Sequence, residues 1–236
     1  APISRNRKDV SEMLQYRHEW KHEISLGDRL AIRQRLSAIA RPDSHAQNGR
    51  YLIRSLYFDT PGDKALREKV DGVSRREKFR LRYYNLDPSM IHLEKKSKYG
   101  GLGTKESAEL TPEEAQALAD GDFRWMLHSG RPLLQELYSK MRTRGLRAKT
   151  IVDYIREPYV YGPGNVRVTL DYDIRTGLQC TGFLDPACLT IPARNAPDIL
   201  EVKWDAFLPA VIQDAVQLPH CRAAAFSKYA ACRVYG

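Results

Sequence analysis

Three cations alternate with other residues in the segment EKFRLRYYN, residues 77–85. Lys78, Arg80 and Arg82 occupy every second position, so a β-strand would place all three side chains on one face. Guanidinium groups offer forked donors to phosphate oxygens, and an ammonium group offers a point charge. Like charges this close on a strand are mildly destabilising. One such strand is typical of a solvated sheet face, whereas a series of them indicates a binding site for an anion.

The same alternation recurs in other strand-like segments of the chain. One face carries charged or polar side chains, and the opposite face carries Ile, Leu, Val, Phe, Trp and Tyr. The polar faces hold Arg17, Glu19, Lys21 and Glu23; His92, Glu94 and Lys96; Lys105, Ser107 and Glu109; Tyr154 and Arg156; Arg167, Thr169, Asp171 and Asp173; and Glu201 and Lys203. If the apolar faces pack under helices, the polar faces are predicted to converge on a common space.

That space would be lined mainly by cations, with a few carboxylates among them. Buried cations without partners are costly, so the lining implies a polyanion, water and a metal ion. The carboxylates would neutralise part of the charge in the empty site, and one or two could hold a divalent metal through oxygen. Nucleic acid on an open sheet is the alternative, but it usually requires exposed aromatic rings for base stacking. Trp20, Phe58, Phe79 and Tyr83 fall mostly on the apolar face, so we expect no nucleic acid partner.

The elements that position these residues follow from the apolar periodicity. Eight strands are predicted at residues 16–24, 51–59, 78–85, 91–97, 105–110, 151–160, 166–173 and 199–204. Helical periodicity falls in residues 25–42, 60–72, 110–121, 131–145, 207–218 and 223–235. Thr111, Pro112 and Glu114 form a predicted capping box. Because steady βαβ alternation is missing, we predict an α+β fold whose antiparallel sheet closes into an eight-stranded barrel with helices outside.

Length and composition are typical of one large globular domain spanning residues 1–236, with its core at about 16–233. A formal net charge of +9 favours an anionic partner without choosing among nucleic acid, acidic membrane surfaces and phosphorylated molecules. Cys180, Cys188, Cys221 and Cys232 show no zinc-type spacing, so we expect reduced thiols in a cytoplasmic protein. The sequence contains no apolar run of about 18 residues, the length that indicates a transmembrane helix.

Seven motifs in this order resemble the VTC (vacuolar transporter chaperone) domain, the polyphosphate polymerase branch of the triphosphate tunnel metalloenzymes. They are YRHEWKHEI, SLYFDTP, REKFRLRYYN, IHLEKKSK, VRVTLDYDIR, ILEVKW and FSKYAACR, between Tyr16 and Arg233. The resemblance implies an eight-stranded tunnel with a C-terminal helix at its mouth. It also implies binding of ATP and inorganic polyphosphate, with transfer of the γ-phosphoryl group. The implied cofactor is a divalent metal, usually Mn²⁺, with Mg²⁺ as the alternative.

The matching motifs imply functional roles for particular residues of this chain. The resemblance implies catalytic roles for Lys21, Arg80, Arg82, Lys96, Arg156 and Lys228. It implies substrate binding by Lys105, Arg167, Lys203 and Ser227, and metal binding by Glu201. Ser227 has an alternative role as a helix cap. Glu19, Glu23 and Glu94 are interpreted as salt-bridge partners, and Lys78 is left outside the site.

The first strand departs from the ExExK pattern of the related hydrolases and cyclases, because Arg17 replaces the first glutamate. Losing a metal-ligand candidate and gaining a cation favours phosphate binding over hydrolysis or cyclisation. A polyphosphate polymerase is the leading hypothesis. A tripolyphosphatase or nucleoside triphosphatase and a non-enzymatic polyphosphate-binding module are the alternatives. Eukaryotic relatives belong to a membrane complex, so a separate membrane protein at the inner face of a membrane stays open as a partner, as does the oligomeric state.

Overall fold

Eight long antiparallel strands form the wall of the fold. The computed structural model describes residues 17–100, 102–218, 222–223 and 225–234. The long strands are β1 (His18–Ile24), β3 (Tyr51–Asp59), β4 (Arg76–Tyr84), β5 (Asp87–Tyr99), β6 (Leu102–Leu110), β7 (Arg147–Tyr161), β8 (Val166–Thr176) and β10 (Asp198–Trp204). Three two-residue strands complete the sheet: β2 (Arg41–Pro42), β9 (Ile191–Pro192) and β11 (Arg222–Ala223). Each predicted strand is therefore present, although Tyr16 lies outside the described residues.

The strands form one curled sheet in the order β11, β1, β10, β8, β7, β3, β4, β5, β6. The short strand β2 pairs with β7, and β9 pairs with β8. The sheet curls into a half-barrel, which confirms the predicted α+β fold with an antiparallel tunnel wall. Within the described strands, the two ends of this order, β6 and β11, do not pair with each other.

Helices pack against both faces of the sheet. They are α1 (Leu26–Ile39), α2 (Lys64–Val70), α3 (Pro112–Ala119), α4 (Pro132–Arg144), α5 (Ala210–Val216) and α6 (Lys228–Cys232). One apolar cluster joins β3 to β7 with α3 and α4, and a second joins β7, β8 and β10 with α1 and α5. A third cluster lies at the inner face, where Tyr229 and Cys232 of α6 pack against Tyr57, Val152 and Ile174. None of the helices in the described ranges is long and apolar enough to cross a membrane.

Local chemistry explains where several elements begin and end. Thr111 caps α3 by accepting from the backbone N–H of Glu114, and the Glu114 carboxylate returns the bond, as predicted. Ser25 forms the same box with Asp28 at the start of α1. The start of α2 differs from its prediction, because the Asp59 carboxylate accepts the N–H groups of Ala65 and Leu66. This helix therefore begins at Lys64, four residues after Thr60.

The turn between β4 and β5 is tighter than predicted. Asn85 was expected to close the strand, but Asn85 and Leu86 both have positive φ, at 53° and 55°. That conformation belongs to two-residue hairpin turns and is uncommon for leucine. The Asn85 side chain accepts from the backbone N–H of Leu52, which fastens the turn to β3. The short turn lets β5 begin at Asp87 and sets the register between β4 and β5.

The described cysteines, Cys180, Cys188 and Cys232, are free thiols, and Cys221 lies outside the described residues. The Cys180 and Cys188 sulfurs lie 2.7 Å apart in the loop that follows β8. Burial and the neighbouring Cys180 raise the pKa of Cys188 to about 12, so this thiol stays protonated at neutral pH. Cys188 packs in the apolar cluster on the outer face of the sheet, the face covered by α3 and α4.

A buried ion pair ties β3 to β7 on the outer side of the sheet. Arg54 and Asp153 are each 3% exposed. The Arg54 Nε and Nη2 atoms donate to the two Asp153 oxygens at 3.0 and 2.9 Å, and Nη1 donates to the carbonyl of Asp185 at 2.7 Å. All three guanidinium nitrogens are thus satisfied, so the pair fixes the loop around Asp185 to the sheet.

We expect Asp153→Asn to lower the free energy of unfolding by about 3 to 5 kcal/mol, because it leaves a buried guanidinium without its counter-ion. Urea denaturation followed by circular dichroism measures the change. Glu106→Gln is the control, since Glu106 pairs with Lys95 at the surface and its loss should cost under about 0.5 kcal/mol. Equal effects of the two substitutions would contradict the role given to Arg54.

Candidate functional site

The inward face of the curled sheet gathers the polar residues of neighbouring strands in register. Arg80 lies opposite Tyr57 of β3 on one side and opposite Glu94 of β5 on the other. Lys21 lies opposite Glu201 across the pairing of β1 and β10. The predicted convergence of the polar faces is therefore present, and cations outnumber carboxylates along it.

Arg80 and Arg82 are almost completely buried in the wall, at 6% and 5% exposure. The Nε atom of Arg80 donates to Glu94 Oε2 at 2.7 Å, and its Nη1 atom donates to the Tyr57 hydroxyl at 2.9 Å. Arg82 donates from Nε to the Ser55 hydroxyl at 3.2 Å and from Nη2 to the Tyr154 hydroxyl at 3.0 Å. Both guanidinium groups are thus held by protein partners without any ligand.

Glu94 is shared among several cations. Its Oε2 lies 2.5 Å from Arg80 Nη2 and 3.8 Å from Arg82 Nη1, and its Oε1 lies 2.6 Å from Lys105 Nζ. Burial by itself would raise the pKa of Glu94, but Arg80, Arg82 and Lys105 outweigh burial and hold the pKa well below its ordinary value. Glu94 therefore stays ionised, as a salt-bridge partner.

A second shared carboxylate connects β1 and β10. Glu201 is 7% exposed, and its two oxygens lie 3.2 Å from Lys21 Nζ and 2.5 Å from Lys203 Nζ. Lys21 also contacts Glu19 at 2.8 Å. Burial opposes charge on Glu201, but the two lysines hold its pKa well below the ordinary range. The same carboxylates outweigh burial at Lys21 and raise its pKa. The predicted metal ligand therefore lies between two of the predicted phosphate-binding lysines.

Asp171 joins the C-terminal helix α6 to the wall. It is fully buried and accepts two bonds from Arg156, at 2.6 and 2.7 Å, and one from Lys228 Nζ at 2.7 Å. These cations outweigh burial and lower the pKa of Asp171 to about 2. The Lys228 ammonium also lies 4.5 Å from the centre of the Tyr154 ring. Ser227 accepts from the backbone N–H of Ala230 at 3.3 Å, which is the helix-cap alternative.

Arg167 and Arg17 lie at one end of the sheet, apart from these groups. Arg167 contacts the Asp43 carboxylate and donates to the Tyr51 hydroxyl at 3.1 Å. Beside it is an open groove of about 810 Å³. Arg17, the residue that departs from the glutamate pattern, pairs with Asp205 at 2.8 Å and donates to the Asn165 carbonyl. Arg17 therefore braces the end of the sheet.

Lys96 and Lys78 make no ion pair with a carboxylate within the described part of the chain. Arg80, burial, Lys203 and Arg82 together hold the pKa of Lys96 well below its ordinary value. Burial, with Arg80, Lys21 and Lys228, lowers the pKa of Lys78 to about 8. Lys78 thus lies among the inward cations, as its two-residue spacing from Arg80 indicates, and its ammonium lies 5.8 Å from the centre of the Tyr57 ring. The family motifs gave it no role, so it was predicted to lie outside the site.

The carboxylate oxygens of the inner face suit a metal ion only when phosphate oxygens supply further ligands. Across the described ranges, no three His, Cys, Asp or Glu side chains are grouped closely enough to hold an ion. Both Glu201 oxygens contact lysines. Mg²⁺ commonly uses one or two carboxylates together with substrate phosphates. A divalent ion that arrives with phosphate oxygens fits Glu201 as its protein ligand, whereas a free ion would meet mainly cations.

The curled antiparallel sheet and its cationic inner face are consistent with a triphosphate tunnel fold. The family model described as "VTC domain" matches residues 16–235, and the chain belongs to that family. The predicted resemblance is thereby confirmed. A search of curated proteins finds no match.

Similar solved structures include the PH1819 protein from Pyrococcus horikoshii OT3, at 13% identity and a TM-score of 0.42, covering 85% of this chain and 84% of that one. They also include a candidate adenylate cyclase from Bacillus halodurans, at 14% identity and a TM-score of 0.45, covering 80% of each chain. At such low similarity, neither structure adds to the family assignment.

We expect the affinity for inorganic tripolyphosphate to fall about tenfold between pH 7 and pH 9 through Lys78 alone. Its pKa of about 8 lies inside this range, and a bound polyanion favours the protonated lysine, so binding takes up protons and weakens as the pH rises. Lys78→Arg should flatten the profile, because arginine stays protonated. Calorimetric titration of both proteins cancels the ligand's own protonation. Identical pH profiles would refute the placement of Lys78.

Proposed function

We propose that this protein is a metal-dependent polyphosphate polymerase that transfers the γ-phosphoryl group of ATP to the end of an inorganic polyphosphate chain. The observation that carries the proposal is the pair of unneutralised lysines, Lys78 and Lys96, beside the fixed guanidinium groups of Arg80 and Arg82. A phosphate chain supplies closely spaced negative charges that match such a row. Membership of the VTC domain family supports the same reaction.

The residues act by position and charge in this proposal. In phosphoryl transfer, the protein mainly aligns the reactants and stabilises charge on the equatorial oxygens. Arg80, Arg82 and Lys96 would bind those oxygens. Arg156 and Lys228, which share Asp171, would bind phosphates nearer α6. Lys105, Arg167, Lys203 and Ser227 would contact the rest of the substrate.

No protein nucleophile is required for this reaction. A terminal oxygen of the acceptor chain forms a bond to the γ-phosphorus, the bond from that phosphorus to the bridging oxygen breaks, and ADP leaves with the electron pair. A divalent metal, Mn²⁺ or Mg²⁺, held by Glu201 and phosphate oxygens, would neutralise charge on the leaving group. Lys21 and Lys203 would keep the Glu201 carboxylate ionised and oriented. ATP as the donor would fit a cytoplasmic site of action, and a separate membrane protein would be a further partner.

The decisive experiment is incubation with ATP and Mn²⁺, followed by a gel stained for polyphosphate and an assay of free orthophosphate. A ladder of polymer with matching ADP is the expected result. Orthophosphate without polymer would replace the proposal with a tunnel hydrolase. Binding of polyphosphate without either product would replace it with a binding module.

We expect Lys96→Met to lower the polymerase rate at least tenfold without lowering the free energy of unfolding. The substitution removes a cation that binds substrate and that Arg80 and Lys203 repel in the empty tunnel. The rate of ADP release and urea denaturation measure the two effects.

Lys95→Met is the matched control, because Lys95 is the neighbouring residue on the opposite face and pairs with Glu106 and Glu136. It should keep the rate and lose up to about 1 kcal/mol of stability. Full activity of Lys96→Met, or a marked loss of its stability, would count against the proposed role.

A further inference from the structure

We propose that Tyr57 is a positioning residue for this reaction, whose hydroxyl orients Arg80 toward phosphate and whose ring ties Arg80 to the C-terminal helix. The inference rests on the proposed function and gives a role to a residue of the SLYFDTP motif that had none. Three observations support it: the hydrogen bond from Arg80 to the Tyr57 hydroxyl, the stacking of the Tyr57 ring on Tyr229, and the positive charge around the hydroxyl.

Arg80 is held from both neighbouring strands. Tyr57 lies directly opposite on β3, and Glu94 lies directly opposite on β5. Glu94 engages the Nε and Nη2 atoms at 2.7 and 2.5 Å, while the Tyr57 hydroxyl accepts from Nη1 at 2.9 Å. Without that hydroxyl, the orientation of Arg80 would depend on Glu94 alone, and Glu94 is also shared with Lys105.

A guanidinium group that is already fixed binds a ligand more tightly than a mobile one does. Arginine carries five N–H donors, so donors remain for phosphate oxygens after the bonds to Tyr57 and Glu94. A side chain that is already ordered loses less conformational entropy when the ligand binds. The hydroxyl of Tyr57 therefore contributes to binding without having to contact the ligand.

The Tyr57 ring connects the hydrogen-bonded Arg80 to α6. It is 2% exposed and stacks on the Tyr229 ring, with centroids 4.9 Å apart and planes at 22°. The Tyr229 hydroxyl donates to Asp59 at 2.8 Å, and Asp59 in turn accepts the backbone N–H groups at the start of α2. The position of Arg80 thus depends on the docking of α6 through a chain of packed groups.

Positively charged side chains surround the Tyr57 hydroxyl. Burial opposes ionisation of the phenol, but Arg80 and Lys78, with Arg82, outweigh burial and lower the pKa of Tyr57 to about 8. The hydroxyl therefore faces cations, which suits its role as the acceptor for Arg80. Its bond to the charged Arg80 belongs to the stronger class of hydrogen bonds.

Tyr57→Phe tests the inference, because it removes the hydroxyl and keeps the ring on Tyr229. The matched control is Tyr83→Phe, which removes a buried hydroxyl that donates to the Phe183 carbonyl on the outer side of the sheet. We expect calorimetry to show about tenfold weaker binding of inorganic tripolyphosphate by Tyr57→Phe and unchanged binding by Tyr83→Phe. Unchanged binding by Tyr57→Phe, or an equal loss in both variants, would overturn the inference.

A double-mutant cycle separates positioning from direct contact. If the hydroxyl acts through Arg80, Tyr57→Phe should weaken tripolyphosphate binding no further in an Arg80→Ala background. A persisting tenfold effect in that background would mean that the hydroxyl contacts the ligand itself, and positioning would be rejected. The other inward cations keep the binding of Arg80→Ala measurable at higher ligand concentration.

Tripolyphosphate binding requires no turnover, so the two proposals can fail separately. Weaker binding by Tyr57→Phe in a protein that makes no polymer from ATP would support the positioning role and reject the polymerase. Polymer synthesis together with unchanged binding by Tyr57→Phe would support the polymerase and reject the positioning role.

Discussion

Repulsion among the inward-facing cations is the constraint that the rest of the structure must offset. Glu94, Asp171 and Glu201 each lie between two or more cations, so a few carboxylates hold many positive groups in place. This sharing leaves Lys78 and Lys96 unneutralised. The stability of the wall must therefore come from its other face, where apolar clusters lie under α1, α3, α4 and α5.

Because the outer face supplies the stability, the inner face can hold cations whose mutual repulsion is unfavourable in the empty protein. A residue that is unfavourable in the empty protein becomes favourable when a polyanion binds, because the same charge then has a partner. The hydroxyls of the buried tyrosines Tyr57 and Tyr154 accept from Arg80 and Arg82 and hold both guanidinium groups in place. Carboxylates at those positions would have cancelled the charge that the ligand needs.

The sequence was most informative where alternation alone decides the structure. The eight strands, the inward cationic faces and the capping box of α3 followed from periods and spacings. The turn at Asn85 and Leu86 did not, because leucine rarely adopts positive φ. Cross-strand partners such as Tyr57 and Arg80 depend on register, which a single segment does not encode. The pairing of Arg17 with Asp205 was hidden for the same reason, because it joins residues far apart in sequence.

The docking of α6 has a consequence for the folding of the chain. The bonds from Tyr229 to Asp59 and from Arg233 to Asp63 each span 170 residues, and α6 follows every long strand in the chain. Such non-local contacts form late in folding. Closing a loop of this length costs conformational entropy, and α6 recovers that cost only once Asp59 and Asp63 are already in place to bond with it.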